Sequence, residues 1–262
     1  MSGPWLFSLG AVVAFGAALW PISLALRNSG IVDVFWGLFF VAIAAVGCAF
    51  GDGDPSRAKL VLVLTAAWGV RLAAHIALRG RGHGEDRRYA AMRANHGRHW
   101  GLVSLPLVFL LQPVLAWIVS LPVQAATNLR VGEFPRWTDA AGAAIFVAGF
   151  VFETVADLQL TAFRRDPANS GRVLDRGLWR LTRHPNYFGE FVLWWGLGLV
   201  GLTTGAWWSL AGPALMSVLL LRVSGVTLLE RTIGERRPEY ARYRATTNAF
   251  FPGPPRPIRR TS

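Results

Sequence analysis

The chain has 262 residues, of which 53% are hydrophobic and only 16% charged. Soluble domains carry nearer a quarter, so a soluble globular enzyme is excluded in favour of a polytopic membrane protein. The formal charge of +12 does not imply a nucleic-acid partner, because the arginines sit between apolar runs, as in cytoplasmic loops, and the single cysteine, Cys48, excludes an internal disulfide.

Taken in chain order, the first element is an apolar run at about Trp5–Leu26. MSGPWLFSLG lacks a basic n-region, so this run reads as a retained helix and not a cleaved signal. Six more runs follow, near Ile31–Phe50, Leu60–Leu78, Leu102–Val123, Ala140–Leu160, Phe188–Thr203 and Trp207–Leu229. Each approaches the length needed to cross ~30 Å of hydrocarbon at a rise of ~1.5 Å per residue. The expected fold is an all-α bundle of about seven transmembrane helices in one domain, residues 1–262. The loops near 79–100 and 161–186 and the tail from 230 are rich in arginine. With seven spans these basic segments share one side, which predicts a cytoplasmic C-terminus and an outside N-terminus.

Ionisable side chains at membrane depth are costly and mark candidate functional positions. Asp33 lies early in the second run. Arg71 and His75 lie one turn apart in the third, where Arg71 is also a candidate partner for Asp33 or Asp157. Glu153 and Asp157 lie four residues apart in the fifth, on one helical face. Glu190 opens the sixth, and Arg222 lies in the seventh. Two histidines, His96 and His99, sit in a basic loop without thiols or acids in a ligating pattern, so no metal site is expected. Gly196–Gly201 matches GxGxxG, but inside an apolar helix such glycines serve close helix packing, not dinucleotide binding.

A dense polar stretch is RLTRHPNYFGEF, Arg180–Phe191, at the lip of an apolar run. His184 precedes a proline and so avoids the α region, while Pro185 suits a first helical turn. Asn186, Tyr187 and Glu190 then fall in the opening turns, with Asn186 and Glu190 on one face and Arg180 and Arg183 just outside. Donors, a carboxylate and cations at a helix start suit a soluble ligand that is anionic and forms hydrogen bonds, such as a nucleotide cofactor.

Arg183–Glu190, together with Gly177–Trp179, Tyr240, Tyr243 and Phe250–Pro252, resembles the C-terminal motif of the steroid 5-alpha-reductase superfamily, most closely its bacterial branch. Gly30–Gly37 and Arg79–Tyr89 agree as well. The resemblance implies a membrane reductase of a bacterial inner membrane that binds NADPH on its cytoplasmic side. It also implies hydride transfer to an activated C=C bond of a lipid or steroid-like 3-oxo-4-ene substrate. By position it implies that Asn186 and Glu190 contact the cofactor, with Tyr187 and Arg183 beside them. Asp157 and Arg164 would hold the nucleotide, Arg81 and Arg222 would bind cofactor, and Glu153 stands where the steroid enzymes have an asparagine. Asp33 falls near the glutamate that polarises the substrate, and is expected to act as a neutral acid. Trp68 falls at a tyrosine position, and tryptophan can only donate a hydrogen bond. Trp36 and Arg71 are the candidate substrate-binding residues. A second reading is a membrane methyltransferase of the isoprenylcysteine or phospholipid type, using S-adenosylmethionine. Those enzymes share an Arg-His-Pro-x-Tyr-x-Gly stretch and a glutamate near the tail, where this chain has Glu230 and Glu235. The oligomeric state is open, and a monomer is compatible.

Overall fold

A computed structural model describes residues 3–82, 84–131, 133–223 and 239–257. Their regular structure is helical, and among them the only β feature is an isolated parallel bridge between Thr182 and Asn248. The long helices are α1 (Gly3–Ala25), α2 (Ile31–Phe50) and α3 (Pro55–Gly80). Next, α4 (Arg87–His96) runs through a short turn into α5 (Trp100–Ser104), a π-helical stretch at Leu105–Leu110 and α6 (Leu111–Val119). The remainder are α7 (Leu121–Asn128), α8 (Trp137–Arg165), α9 (Pro185–Leu202), α10 (Ala211–Val218) and α11 (Tyr240–Thr246).

Five helical stretches among the described residues are long and apolar enough to cross a membrane: Gly3–Ala25, Ile31–Phe50, Pro55–Gly80, Arg87–Val119 and Trp137–Arg165. Val63, Leu102 and Leu158 on them are largely exposed, as lipid-facing residues are. Of the other two expected spans, α9 has 18 residues and Trp207–Val223 is a shorter apolar helix. Residues 224–229 of the expected seventh span, the start of the tail, and Glu230 and Glu235 lie outside the described residues.

Local chemistry moves several boundaries. The third helix starts five residues before Leu60, because Asp54 accepts the N–H groups of Ser56 and Arg57, both at 2.9 Å, and Pro55 occupies the first turn. The fourth run is not one continuous helix. Pro106 lies in the π-helical stretch, and Pro122, lacking an N–H, follows the break at Ser120 between α6 and α7.

The chain forms two compact units. The first comprises Met1–Ala141 and Leu197–Gly212, the second Gly142–Gly196 and Pro213–Ser262. In the first, α2 and α3 approach through paired glycines. A Cβ on Gly37 would lie 2.8 Å from the Cα of Gly69. Phe39, Phe40, Trp68 and Phe109 fill the fully buried core around this crossing. Arg57 and Asp139 form a buried ion pair at 2.8 Å, and Arg57 also donates to the carbonyls of Val131 and Glu133.

In the second unit α8 and α9 come to backbone contact. A Cβ on Gly189 would lie 2.5 Å from the Glu153 N and 2.7 Å from the Gly149 O, and one on Gly196 would lie 2.7 Å from the Gly142 O. Gly196 is therefore a packing glycine, as small residues in membrane helices commonly are.

Candidate functional site

Among the described residues, the expected site residues fall into a polar cluster in each unit. In the first, Asp33 sits in the opening turn of α2, and both its oxygens are engaged. Oδ1 accepts from the Tyr89 hydroxyl and Oδ2 from the Arg88 guanidinium, each at 2.7 Å. Gln112 donates to the Tyr89 oxygen at 3.0 Å. A guanidinium thus faces one oxygen of Asp33 and a hydroxyl the other. Arg88 fills the pairing role at Asp33 for which Arg71 was the candidate. Arg71 and His75 are part-buried on α3.

A second pair braces the same corner. Glu85 accepts both Nε and NH2 of Arg93, at 2.9 and 2.8 Å, and the Ser29 N–H at 2.7 Å. Burial works against ionisation of Glu85, but the hydrogen bonds from Arg93 and Ser29 outweigh it and hold the carboxyl below its usual range. Burial likewise opposes the charge on Asp86, and the side-chain and backbone hydrogen bonds from Arg88 overcome it and lower its pKa. The two stretches 28–33 and 84–93, each overlapping a segment of the family resemblance, therefore meet. Sequence reasoning placed Glu85, Arg88 and Tyr89 in a resembling segment without a role, and did not single out Arg93 and Gln112. The available signal was the dense acid–base run GEDRRY at a helix start.

Trp68 is fully buried and meets Phe40 edge-on at 5.5 Å, and Phe40 in turn meets Trp36 at 5.3 Å. Trp68 thus stands in an aromatic core. Arg81 is exposed just past the end of α3, in this same unit.

The second unit gathers four of the expected residues. Glu153 and Asp157 on α8 and Glu190 on α9 are all buried, where the glycine contacts draw the two helices together. Asn186 donates to Asp157 Oδ1 at 3.3 Å. The rings of His184 and Tyr187 stack, 5.8 Å apart and 10° from parallel. Arg164 lies two turns beyond Asp157, exposed near the end of α8, and Arg222 is exposed in the turn after α10.

Arg183 has a further role. Its NH1 donates to the carbonyls of Arg244 and Thr247, at 3.0 and 2.9 Å, and its backbone N–H donates to the Asn248 carbonyl. Thr182 donates to the Phe250 carbonyl, Tyr243 to the Trp179 carbonyl, and the Gly253 N–H to Leu181. The stretch that opens α9 is thereby clamped to residues 240–253. Among the described residues no group of three His, Cys, Asp or Glu is arranged to hold a metal ion.

A family model described as "Protein of unknown function (DUF1295)" matches residues 19–247. The chain belongs to the DUF1295 family. That family lies within the steroid 5-alpha-reductase-like superfamily. An uncharacterised protein of Schizosaccharomyces pombe is 25% identical over 94% of the chain and 79% of its own length. A probable O-methyltransferase, ustE, of Ustilaginoidea virens is 40% identical over 55 residues, 21% of this chain and 19% of its own. No solved structure matches the chain.

Proposed function

We propose that this DUF1295 protein is a membrane reductase that uses NADPH to reduce an activated C=C bond in a flat, lipid-soluble substrate such as a 3-oxo-4-ene steroid. The observation that carries the reading is the buried carboxyl set Glu153, Asp157 and Glu190 between α8 and α9, with the half-buried Asn186 donating to Asp157. Clustered carboxylates beside an amide offer hydrogen-bond acceptors, to which the hydroxyl and carboxamide groups of a dinucleotide are suited. Arg164 near the helix end suits a phosphate. NADPH, when bound, supplies the hydride, and the protein's part is to bind, orient and exclude water. Asp33 is proposed to hold Tyr89 and Arg88 in place on the substrate side, next to the aromatic wall of Trp36 and Trp68. The arginine-rich loops support a cytoplasmic cofactor side, with the protein in a cell membrane.

The alternative reading is an S-adenosylmethionine-dependent methyltransferase, the class named for the partly matched ustE. Thermal unfolding of the detergent-purified protein with NADPH, NADH or S-adenosylmethionine separates the two. A ligand at ~100 times its Kd adds about 2.7 kcal/mol to the folded state. A higher midpoint with NADPH is the expected result. A rise with S-adenosylmethionine alone overturns the reductase reading. In the expected case, Asn186→Leu weakens the NADPH-induced shift, read against the variant's own unliganded midpoint.

A further inference from the structure

The turn between α1 and α2 carries a conformational cost. Arg27 has φ 49°, in the left-handed region that glycine normally occupies at a helix end. Its N–H donates to the Leu24 carbonyl, and the Asn28 N–H donates to the Ser23 carbonyl, the hydrogen-bond pattern of a glycine-closed helix C-terminus. Glycine would sit there without strain, so what arginine adds is an exposed guanidinium. Two more arginines stand around the same corner. The turn is fixed to the residues before α4 and to α5, through the Ser29 N–H on Glu85 and the Trp100 Nε1 on the Ser29 hydroxyl. Arg98, exposed, lies two residues before Trp100. A Cβ on Gly30 would lie 3.7 Å from the Asp86 Cβ, and Arg79, exposed in the last turn of α3, acts electrostatically on Asp86. The acids of this corner, Asp33, Glu85 and Asp86, are each held by Arg88 or Arg93, which leaves a surplus of cations.

An apolar border runs beside these cations. Leu26 next to Arg27, Leu78 next to Arg79 and Leu102, four residues from Arg98, are all largely exposed. A leucine open to hydrocarbon beside an arginine open to water thus recurs at the ends of three membrane-crossing stretches, the pairing that a phospholipid meets with its acyl chain and its phosphate. We propose that Arg27, Arg79 and Arg98 form a docking surface for the headgroups of anionic phospholipids, whose acyl chains run along Leu26, Leu78 and Leu102. The test is a titration of the detergent-purified full chain with dioctanoyl phosphatidylglycerol, dioctanoyl phosphatidylcholine or inorganic phosphate. Affinity is read from the rise in thermal midpoint with ligand concentration. The variants are Arg27→Gly, the combination of Arg27→Gly with Arg79→Gln and Arg98→Gln, and Arg130→Gln. Arg130 is an exposed arginine just past the end of α7, the end that meets the turn before α3 through the Gly53 N–H on the Thr127 carbonyl.

The expected result is that phosphatidylglycerol binds and that phosphatidylcholine and inorganic phosphate at the same concentration do not. Arg27→Gly should weaken phosphatidylglycerol about fivefold and the triple variant about a hundredfold, the scale of one and of three surface cations lost, while Arg130→Gln binds as the wild type does. Salt at about 0.5 M should weaken the wild type towards the triple variant. Arg27→Gly relieves the strained turn, so its unliganded midpoint should be no lower than that of the wild type, which separates lost binding from lost folding. Equal binding of phosphatidylcholine would reduce the surface to apolar contact and overturn the proposal. Inorganic phosphate as effective as the lipid, unchanged affinity in the triple variant, or equal weakening by Arg130→Gln would each overturn it as well.

Discussion

Glu85 joins three parts of the first unit through one carboxylate: the Ser29 turn, the Arg93 side chain and the start of α4. Its pKa is lowered on folding from the usual 4.5. A depressed carboxylate contributes stability that is present above the unfolded pKa and is lost as pH falls through the folded one. Thermal midpoints measured from neutral pH downwards should therefore show Glu85→Gln less stable than wild type at neutrality, with the gap closing below 4.5. A constant gap would mean that the charge is irrelevant. Arg57 and Asp139 present the opposite situation, a pair sealed from solvent. Asp139→Ala should cost about 3–5 kcal/mol by leaving a buried guanidinium uncompensated, whereas Arg57→Met with Asp139→Leu should recover much of it. Denaturation in mild detergent reads both.

The helix pairs are set by glycines. At Gly189 the nearest neighbours of an added Cβ are backbone atoms of α8, which cannot turn aside. Gly189→Ala should destabilise by about 1–3 kcal/mol through overpacking. It should also weaken ligand binding by parting Glu153 and Asp157 from Asn186 and Glu190. Gly80→Ala, with nothing within 4 Å, is the matched control and should leave both unchanged. Much of this was legible from periodicity alone. The four-residue spacings of Glu153 with Asp157 and of Asn186 with Glu190 each define a face, and the structure brings those faces together. The partners of Asp33 were not legible, because Arg88 and Tyr89 lie 55 and 56 residues away and no helical period connects them. The interruption at Ser120 was missed for a different reason: hydropathy does not register that Pro122 removes a donor from the ladder.

At the scale of the whole chain, the arginine-rich segments predict sidedness. In a Cys48→Ala background, single cysteines at exposed Ala94 and Ala168 should both resist a membrane-impermeant reagent applied to whole cells, while one at exposed Asp52 should react. Labelling of Ala94→Cys from outside would reverse the orientation. The clamp on α9 also has a consequence in time. Arg183 waits for carbonyls that are synthesised 61 and 64 residues later. At 5–20 residues per second the ribosome takes roughly 3–12 s to supply them. Throughout that interval this polar turn stands at the lip of an apolar helix with its own fastening not yet made, so the cellular insertion machinery meets α9 before it can hold its mature start.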